Sequence, residues 1–141
     1  MLTTAHLARC MPLSNRDLIY EMTRSAAFLN AVNWHFIDLL GEFDQRGIWR
    51  DGGYSSLVNW LDHRCGMAPG AARERIRVAR KLRDLKLINH AFEKGEISYS
   101  KVRAITRAAT PETERTLLKM ARHCSAAELE SLVRTYERTG A

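Results

Sequence analysis

Six cationic side chains fall within eleven positions: Arg73, Arg75, Arg77, Arg80, Lys81 and Arg83. A guanidinium is a rigid fork of N–H donors that matches phosphate oxygens or a guanine edge two at a time, which a lysine ammonium does less well. A run this dense in arginine has the chemistry to hold a polyanion, and DNA is the polyanion such a pattern suits. The competing reading is a solvated helix face, and charge alone does not separate the two. The chain has 141 residues and a net charge of +6. Residues 1–63 carry five basic and seven acidic side chains, residues 64–86 eight and two, and residues 87–141 nine and seven. The excess charge therefore sits mainly on one short segment.

That segment has to be held by something. Ser55 or Ser56 can cap a helix whose Leu57, Trp60 and Leu61 face inward and which Gly66 ends. Pro69 suits the first turn of the next helix. There Ala72, Ile76, Ala79 and Leu82 follow i, i+4, i+7 and i+10, flanked by Val78 and Leu85, and Arg73, Arg77, Arg80 and Lys81 form a neighbouring stripe. Two helices joined by a short turn containing glycine make a helix-turn-helix-like unit over residues 55–85, the second helix presenting side chains to DNA. Asp62 stands where such units usually have a small residue, and Arg75 where an aliphatic one is usual.

The rest reads as scaffold. Residues 1–13 are expected to be a flexible lead-in, with Pro12 discouraging helix before it, and residues 14–141 a single helical domain. Ser14 or Asn15 can cap a helix in which Leu18, Met22, Leu29, Val32, Phe36, Leu39 and Phe43 recur, widened by Ala26, Ile37 and Leu40. Such a helix of some 28 residues would be roughly 42 Å long, enough to brace the domain or to pair with a copy of itself. Ile48 and Trp49 look like a plug, and Asp51-Gly52-Gly53 like a turn. Short helices follow Lys86. One is Leu87–Phe92, closed by Gly95, and another starts at Ser98, with Val102, Ile105 and Ala109 inward and Lys101, Arg103 and Arg107 outward. A third starts at Thr110-Pro111, with Leu117, Leu118, Met120 and Ala121 in the core. The last is capped by Ser125 and Glu128, with Leu129, Leu132 and Val133 inward. β-branched runs and two-residue hairpin turns are absent, so the expected fold is all-α: a multi-helical single domain with a long N-terminal helix.

Several function classes are disfavoured. Pairs such as Glu42/Asp44 and Glu112/Glu114 fit solvated faces and helix N-termini, and no nucleophile–base constellation stands out, so no catalytic residue is assigned. Cys10, Cys65 and Cys124 are odd in number and contain no CxxC, which fits reduced thiols. His63, Cys65, His123 and Cys124 lack the spacing of a zinc finger, so no metal or other cofactor is expected. No apolar run has the length of a membrane span, and the N-terminus is a poor secretory signal. A cytoplasmic protein that does not engage a membrane is the expectation.

The run GYSSLVNWLDHRCGMAPGAARERIRVARKLRDL, followed by HAFEKGEISYSKVRAITRAATPETERTLLKMARHCSAAELESLVRTYER, closely resembles the 13E12-repeat family, a bacterial domain of unknown function commonly found N-terminal to an HNH endonuclease domain. The resemblance covers about residues 53–138 and, more loosely, the long first helix. It implies action on DNA by association with the nuclease. This chain carries no HNH motif of its own, so it would be either the N-terminal portion of a longer nuclease or a stand-alone domain, meeting an HNH domain in cis or in trans. The helix-turn-helix followed by Gly95-Glu96-Ile97-Ser98 and a basic helix also resembles, less closely, the DNA-binding core of ParB-type partition proteins. In that analogy residues 73–83 would form the recognition helix.

The expected function is therefore a DNA-binding or targeting module for double-stranded DNA. Arg73, Arg77, Arg80, Lys81 and Arg83 would meet phosphates or base edges, and Lys101, Arg103 and Arg107 would meet the backbone. The alternative is a protein–protein interaction module that forms a homodimer or docks a nuclease through the long helix. What separates them is spatial. One continuous positive face favours DNA, and arginines each paired with an acid favour structure.

Overall fold

The computed structural model describes residues 12–138, which form seven α-helices and one 3-10 turn with no strand. In order these are α1 (Asn15–Arg46), a 3-10 turn (Ile48–Gly52), α2 (Leu57–Cys65), α3 (Pro69–Leu82), α4 (Lys86–Glu93), α5 (Tyr99–Ile105), α6 (Glu114–His123) and α7 (Ala126–Arg138). The all-α reading and the long first helix are as expected. Residues 1–11 of the expected lead-in lie outside the described residues.

The helix starts are set by local chemistry. Asp17 N–H donates to Ser14 Oγ at 3.2 Å, Asn59 N–H to Ser56 Oγ at 3.0 Å, and Lys101 N–H to Ser98 Oγ at 3.3 Å. At α7 the exchange is reciprocal: Glu128 N–H donates to Ser125 Oγ and Ser125 N–H to Glu128 Oε1. Gly66 ends α2 at φ 65°, the left-handed conformation that turns the chain sharply toward α3. Pro69 then occupies the first turn of α3.

α1 runs for 32 residues, roughly 48 Å. Only its C-terminal half is packed into the domain, through Ile37, Leu40 and Gly41. Gly41 lets α1 and α3 come close: a Cβ there would sit 3.3 Å from Arg83 Nη1 and in van der Waals contact with Ala79 of α3. The α3 wheel holds in full, with Ala72, Ile76, Val78, Ala79 and Leu82 all buried. The short α5 lies at the centre, packed on α7 and touching α1, α3, α4 and α6. Its Val102, Ala104 and Ile105 are fully buried, and the next residue, Thr106, satisfies its buried hydroxyl by donating to Val102 O at 2.7 Å.

The α1 stripe divides: Leu18, Met22, Leu29, Val32 and Leu39 are 45–65% exposed, whereas Phe36 and Phe43 pack against the core. Four expectations need correction. Ile48 is exposed too, and only Trp49 of the plug packs against the core. Leu132 is exposed, because the inward pair on α7 is Leu129 and Val133, one helical turn apart. The helix expected from Thr110 begins at Glu114. Thr113 Oγ accepts from Thr110 N–H at 2.8 Å, folding residues 110–113 into a separate turn. Glu114 is also not a surface acid at its own helix start. It is buried, and its carboxylate accepts from Leu87 N–H at 2.6 Å. It thereby caps α4, whose own N-terminus has no side-chain cap.

Glu114→Ala is accordingly expected to cost about 1–3 kcal/mol in urea unfolding, since it leaves a buried N–H without its partner. Leu132→Ser is expected to stay within about 0.5 kcal/mol of the parent chain. Equal losses from the two would remove the special role given to Glu114.

Candidate nucleic-acid interface

The outward face of α3 opens into a cleft of about 770 Å³. Its walls are α3 on one side and the 3-10 turn with the start of α2 on the other. Five cationic side chains line it, Arg50, Arg73, Arg77, Arg80 and Lys81, against two acids, Asp44 and Asp84. Trp49, Leu57, Val58 and Ile76 supply apolar surface. Arg50 lies over the Trp49 ring, 4.7 Å from its centroid.

The eight expected site residues divide into three groups. Arg73, Arg77, Arg80 and Lys81 share this cleft, as their helical spacing requires. Arg103 and Arg107, on and just beyond α5, meet Arg77 through Glu74. Arg83 and Lys101 do other work. Arg83 Nη2 donates to Gln45 Oε1 at 2.6 Å and ties α3 to α1. Lys101 Nζ donates to Ala121 O at 2.7 Å, in the last turn of α6, where a cation also meets the negative end of the helix dipole.

Within the first two groups most guanidiniums are already partnered. Glu74 holds three of them: Arg77 Nη2 at 3.1 Å, Arg103 Nε at 3.0 Å and Arg107 Nη2 at 3.2 Å. Arg77 also donates from Nη2 to Arg103 O at 2.9 Å and from Nη1 to Thr106 Oγ1 at 3.3 Å. Glu74 and Arg77 are 23% and 27% exposed, so this is a half-buried brace between α3 and α5 rather than a surface pair. Arg80 makes a two-pronged pair with Asp44, at 2.7 and 3.0 Å. Arg73 and Lys81 are exposed and have no ion pair or hydrogen bond with any described residue. Arg75 is turned away from the cleft, 4.7 Å over the Tyr99 ring.

The pairs leave clear electrostatic marks. Burial pushes the Glu74 carboxyl up, but hydrogen bonds from Arg77 and Arg103 and the charges of Arg77 and Arg107 outweigh it and hold the group below its ordinary 4.5. The Arg80 hydrogen bond holds Asp44 below its ordinary 3.8 against the opposing effect of burial, helped by the charges of Arg80, Arg50 and Arg83. One carboxylate among three guanidiniums does not neutralise them, so the brace keeps a positive field at the surface.

Asp44, Glu74 and Arg50 were not among the expected site residues. The Glu74–Arg77 spacing of three was visible in the sequence, whereas nothing local links Asp44 to Arg80, 36 residues away. Among the described residues no group of three or more His, Cys, Asp or Glu could hold a metal ion, and no helix is long and apolar enough to cross a membrane.

The family model for a domain of unknown function, DUF222, matches residues 17–139. The chain belongs to the DUF222 family. The 13E12 repeat is another name for that family, so the first resemblance stands, while the likeness to ParB-type proteins finds no support. No curated protein and no solved structure matches the chain. The basic cleft and the Glu74 brace both lie inside the DUF222 match.

The brace has a pH signature. The Glu74 pKa is depressed on folding, so its stabilisation is present above the unfolded value and is lost as pH falls through the folded one. Glu74→Gln is expected to cost about 1–2 kcal/mol at pH 7. That difference should shrink steadily as unfolding is repeated below pH 4.5. A gap between the two proteins that stays constant from pH 7 to acid would show that the Glu74 charge is not what holds α3 to α5.

Proposed function

We propose that this DUF222 domain binds DNA through the phosphate backbone, with the cleft beside α3 as the contact surface. The observation that carries the reading is the excess of five cations over two acids in one open cleft. Arg73 and Lys81 are its free phosphate contacts, and Arg50 is the third, standing on the opposite wall. Arg77, Arg103 and Arg107 supply field more than contacts, because Glu74 occupies them. Arg80, neutralised by Asp44, is a structural residue in this reading.

Backbone contact is favoured over base reading. A helix that reads the major groove must project free side chains from its leading turns. The first turn of α3 contains Pro69, Gly70, Ala71 and Ala72, none of which offers a polar side chain. The same face is walled by the 3-10 turn and by Asp44, which limits how deeply a groove can admit it. Binding of this kind depends strongly on salt and weakly on sequence. The nuclease that commonly accompanies the family would then act on DNA held by this domain, whether in the same chain or in another.

The test is fluorescence anisotropy of a labelled duplex at several salt concentrations. It compares the parent chain with Arg73→Glu/Lys81→Glu, two exposed positions whose replacement breaks no ion pair or hydrogen bond among the described residues. Removing two phosphate contacts should weaken binding markedly and lower the log–log salt slope by about 2, with the helical circular dichroism unchanged. Absence of binding at low salt by the folded parent chain overturns the proposal.

A further inference from the structure

α1 carries a second apolar face, which the domain covers only in part, at Phe36 and Phe43. Leu18, Met22, Ser25, Leu29, Val32, Phe36, Leu39 and Phe43 are spaced alternately by four and three, the a/d pattern of a coiled coil. The face that packs on the domain is marked by Trp34, Ile37, Leu40 and Gly41, with Trp34 Nε1 donating to Asn89 Oδ1 at 3.0 Å. At 100° per residue the centres of the two faces lie roughly 120° apart around the helix. They meet only toward the C-terminal end, where Phe36 and Phe43 flank the buried Leu40 and pack against the core.

The two halves of this stripe have different surroundings. Its C-terminal half borders an apolar groove of about 310 Å³, floored by Phe36, Leu39, Phe43, Ile48, Trp60 and Cys65. Phe43 and Trp60 meet there with ring centroids 4.5 Å apart and planes tilted by 46°. In its N-terminal half Leu18, Met22, Phe28 and Leu29 are exposed, while another side of the same stretch, Thr23, Ala26, Ala27 and Asn30, faces Glu93–Gly95 at the end of α4. One half is a groove without an occupant, and the other is an apolar face without a surface.

We propose that the occupant is a second copy of this chain, its α1 running antiparallel along the first. In that arrangement the N-terminal half of each helix fills the groove of the other. The a and d positions then meet in pairs: Leu18 with Phe43 of the second copy, Met22 with Leu39, Ser25 with Phe36, and Leu29 with Val32 at the centre. The one small residue of the stripe, Ser25, falls opposite a phenylalanine, which keeps the layer volumes even. Each pair occurs twice by symmetry, as an interface between identical surfaces requires. Counting Leu18, Met22, Phe28, Leu29, Val32, Leu39 and Ile48, each 42–65% exposed, and the rims of Phe36 and Phe43, a pair buries on the order of 700 Å² per copy. A standard interface uses about 800 Å² per partner. The antiparallel sense also sets the two domains at opposite ends of the pair, away from each other.

Two experiments test this. Sedimentation equilibrium should give two chains per particle for the parent protein, and one for Leu29→Glu/Val32→Glu with its helical circular dichroism retained. A parent chain that is a monomer at every concentration, or a variant that remains a dimer, overturns the proposal. The second experiment does not depend on how the glutamates are tolerated. Met22→Cys/Leu39→Cys, made with Cys10, Cys65 and Cys124 replaced by Ser because Cys65 floors the same groove as Leu39, is oxidised and digested with trypsin, which cuts after Arg16, Arg24 and Arg46. The antiparallel register joins the peptide 17–24 to the peptide 25–46. Within one helix the two sites are roughly 25 Å apart, too far for an internal disulfide. A 17–24 peptide joined to itself indicates parallel helices, and no interchain link in the oxidised protein indicates another occupant for the groove. Either result overturns the antiparallel pair.

Discussion

The Glu74 carboxylate governs how this domain is put together. It projects from α3, the helix that carries the basic run, and takes hydrogen bonds or charge from Arg77 on its own helix and from Arg103 and Arg107 on and beyond α5. α5 is seven residues long, too short to be stable by itself, and sits in the middle of the fold. It is held from one side by Val102, Ala104 and Ile105 in the core and from the other by the arginines gathered on Glu74. Arg77 Nη2 bonding Arg103 O also supplies a partner near the C-terminal end of α5. Without that carboxylate three guanidiniums would crowd one patch with only the more distant Glu130 to offset their repulsion.

The same brace decides what the basic run can do. Six cations in eleven residues suggest a helix ready to meet DNA along its length. Three contact the domain instead: Arg77 on Glu74, Arg80 on Asp44 and Arg83 on Gln45. Arg75 is committed to Tyr99. Arg73 and Lys81 keep their donors, two turns apart on the side that faces the cleft. Arginine is suited to both tasks, because its fork can satisfy a carboxylate and a backbone carbonyl together, as Arg77 does.

Most of the fold could be read from the sequence, because helix ends and buried faces are written locally. Serines at 14, 56, 98 and 125 cap as their positions suggest, and the α3 wheel holds residue for residue. The failures share one physical cause: each depends on a partner distant in the chain. Glu114 reads as an acid at its own helix start, yet it satisfies Leu87 N–H. Period alone marks the α1 stripe as an apolar face without saying what covers it, and of that stripe only Phe36 and Phe43 pack against the core. Arg80 reads as a free cation until Asp44 is brought beside it. The Glu74–Arg77 pair was accessible from its spacing, but the arrival of Arg103 and Arg107 was not.

Pairing an arginine removes its donors and leaves part of its field. A guanidinium held by a carboxylate is fixed in orientation and has fewer N–H donors to turn toward a guanine edge, so base discrimination is weakened first. The long-range attraction depends on net charge within about a Debye length, roughly 8–10 Å, and that is reduced only by the acids present. Across the cleft and the brace, which share Arg77, seven cations (Arg50, Arg73, Arg77, Arg80, Lys81, Arg103 and Arg107) face three acids (Asp44, Glu74 and Asp84). A surface built this way draws in a polyanion while holding little of its sequence. An interacting domain that supplies catalysis or base reading would complement it, and an antiparallel pair would carry one such cleft at each end. Loss of the α1 contact would then weaken avidity on long duplexes while leaving the single cleft intact, because linked sites gain from effective concentration rather than from any new contact.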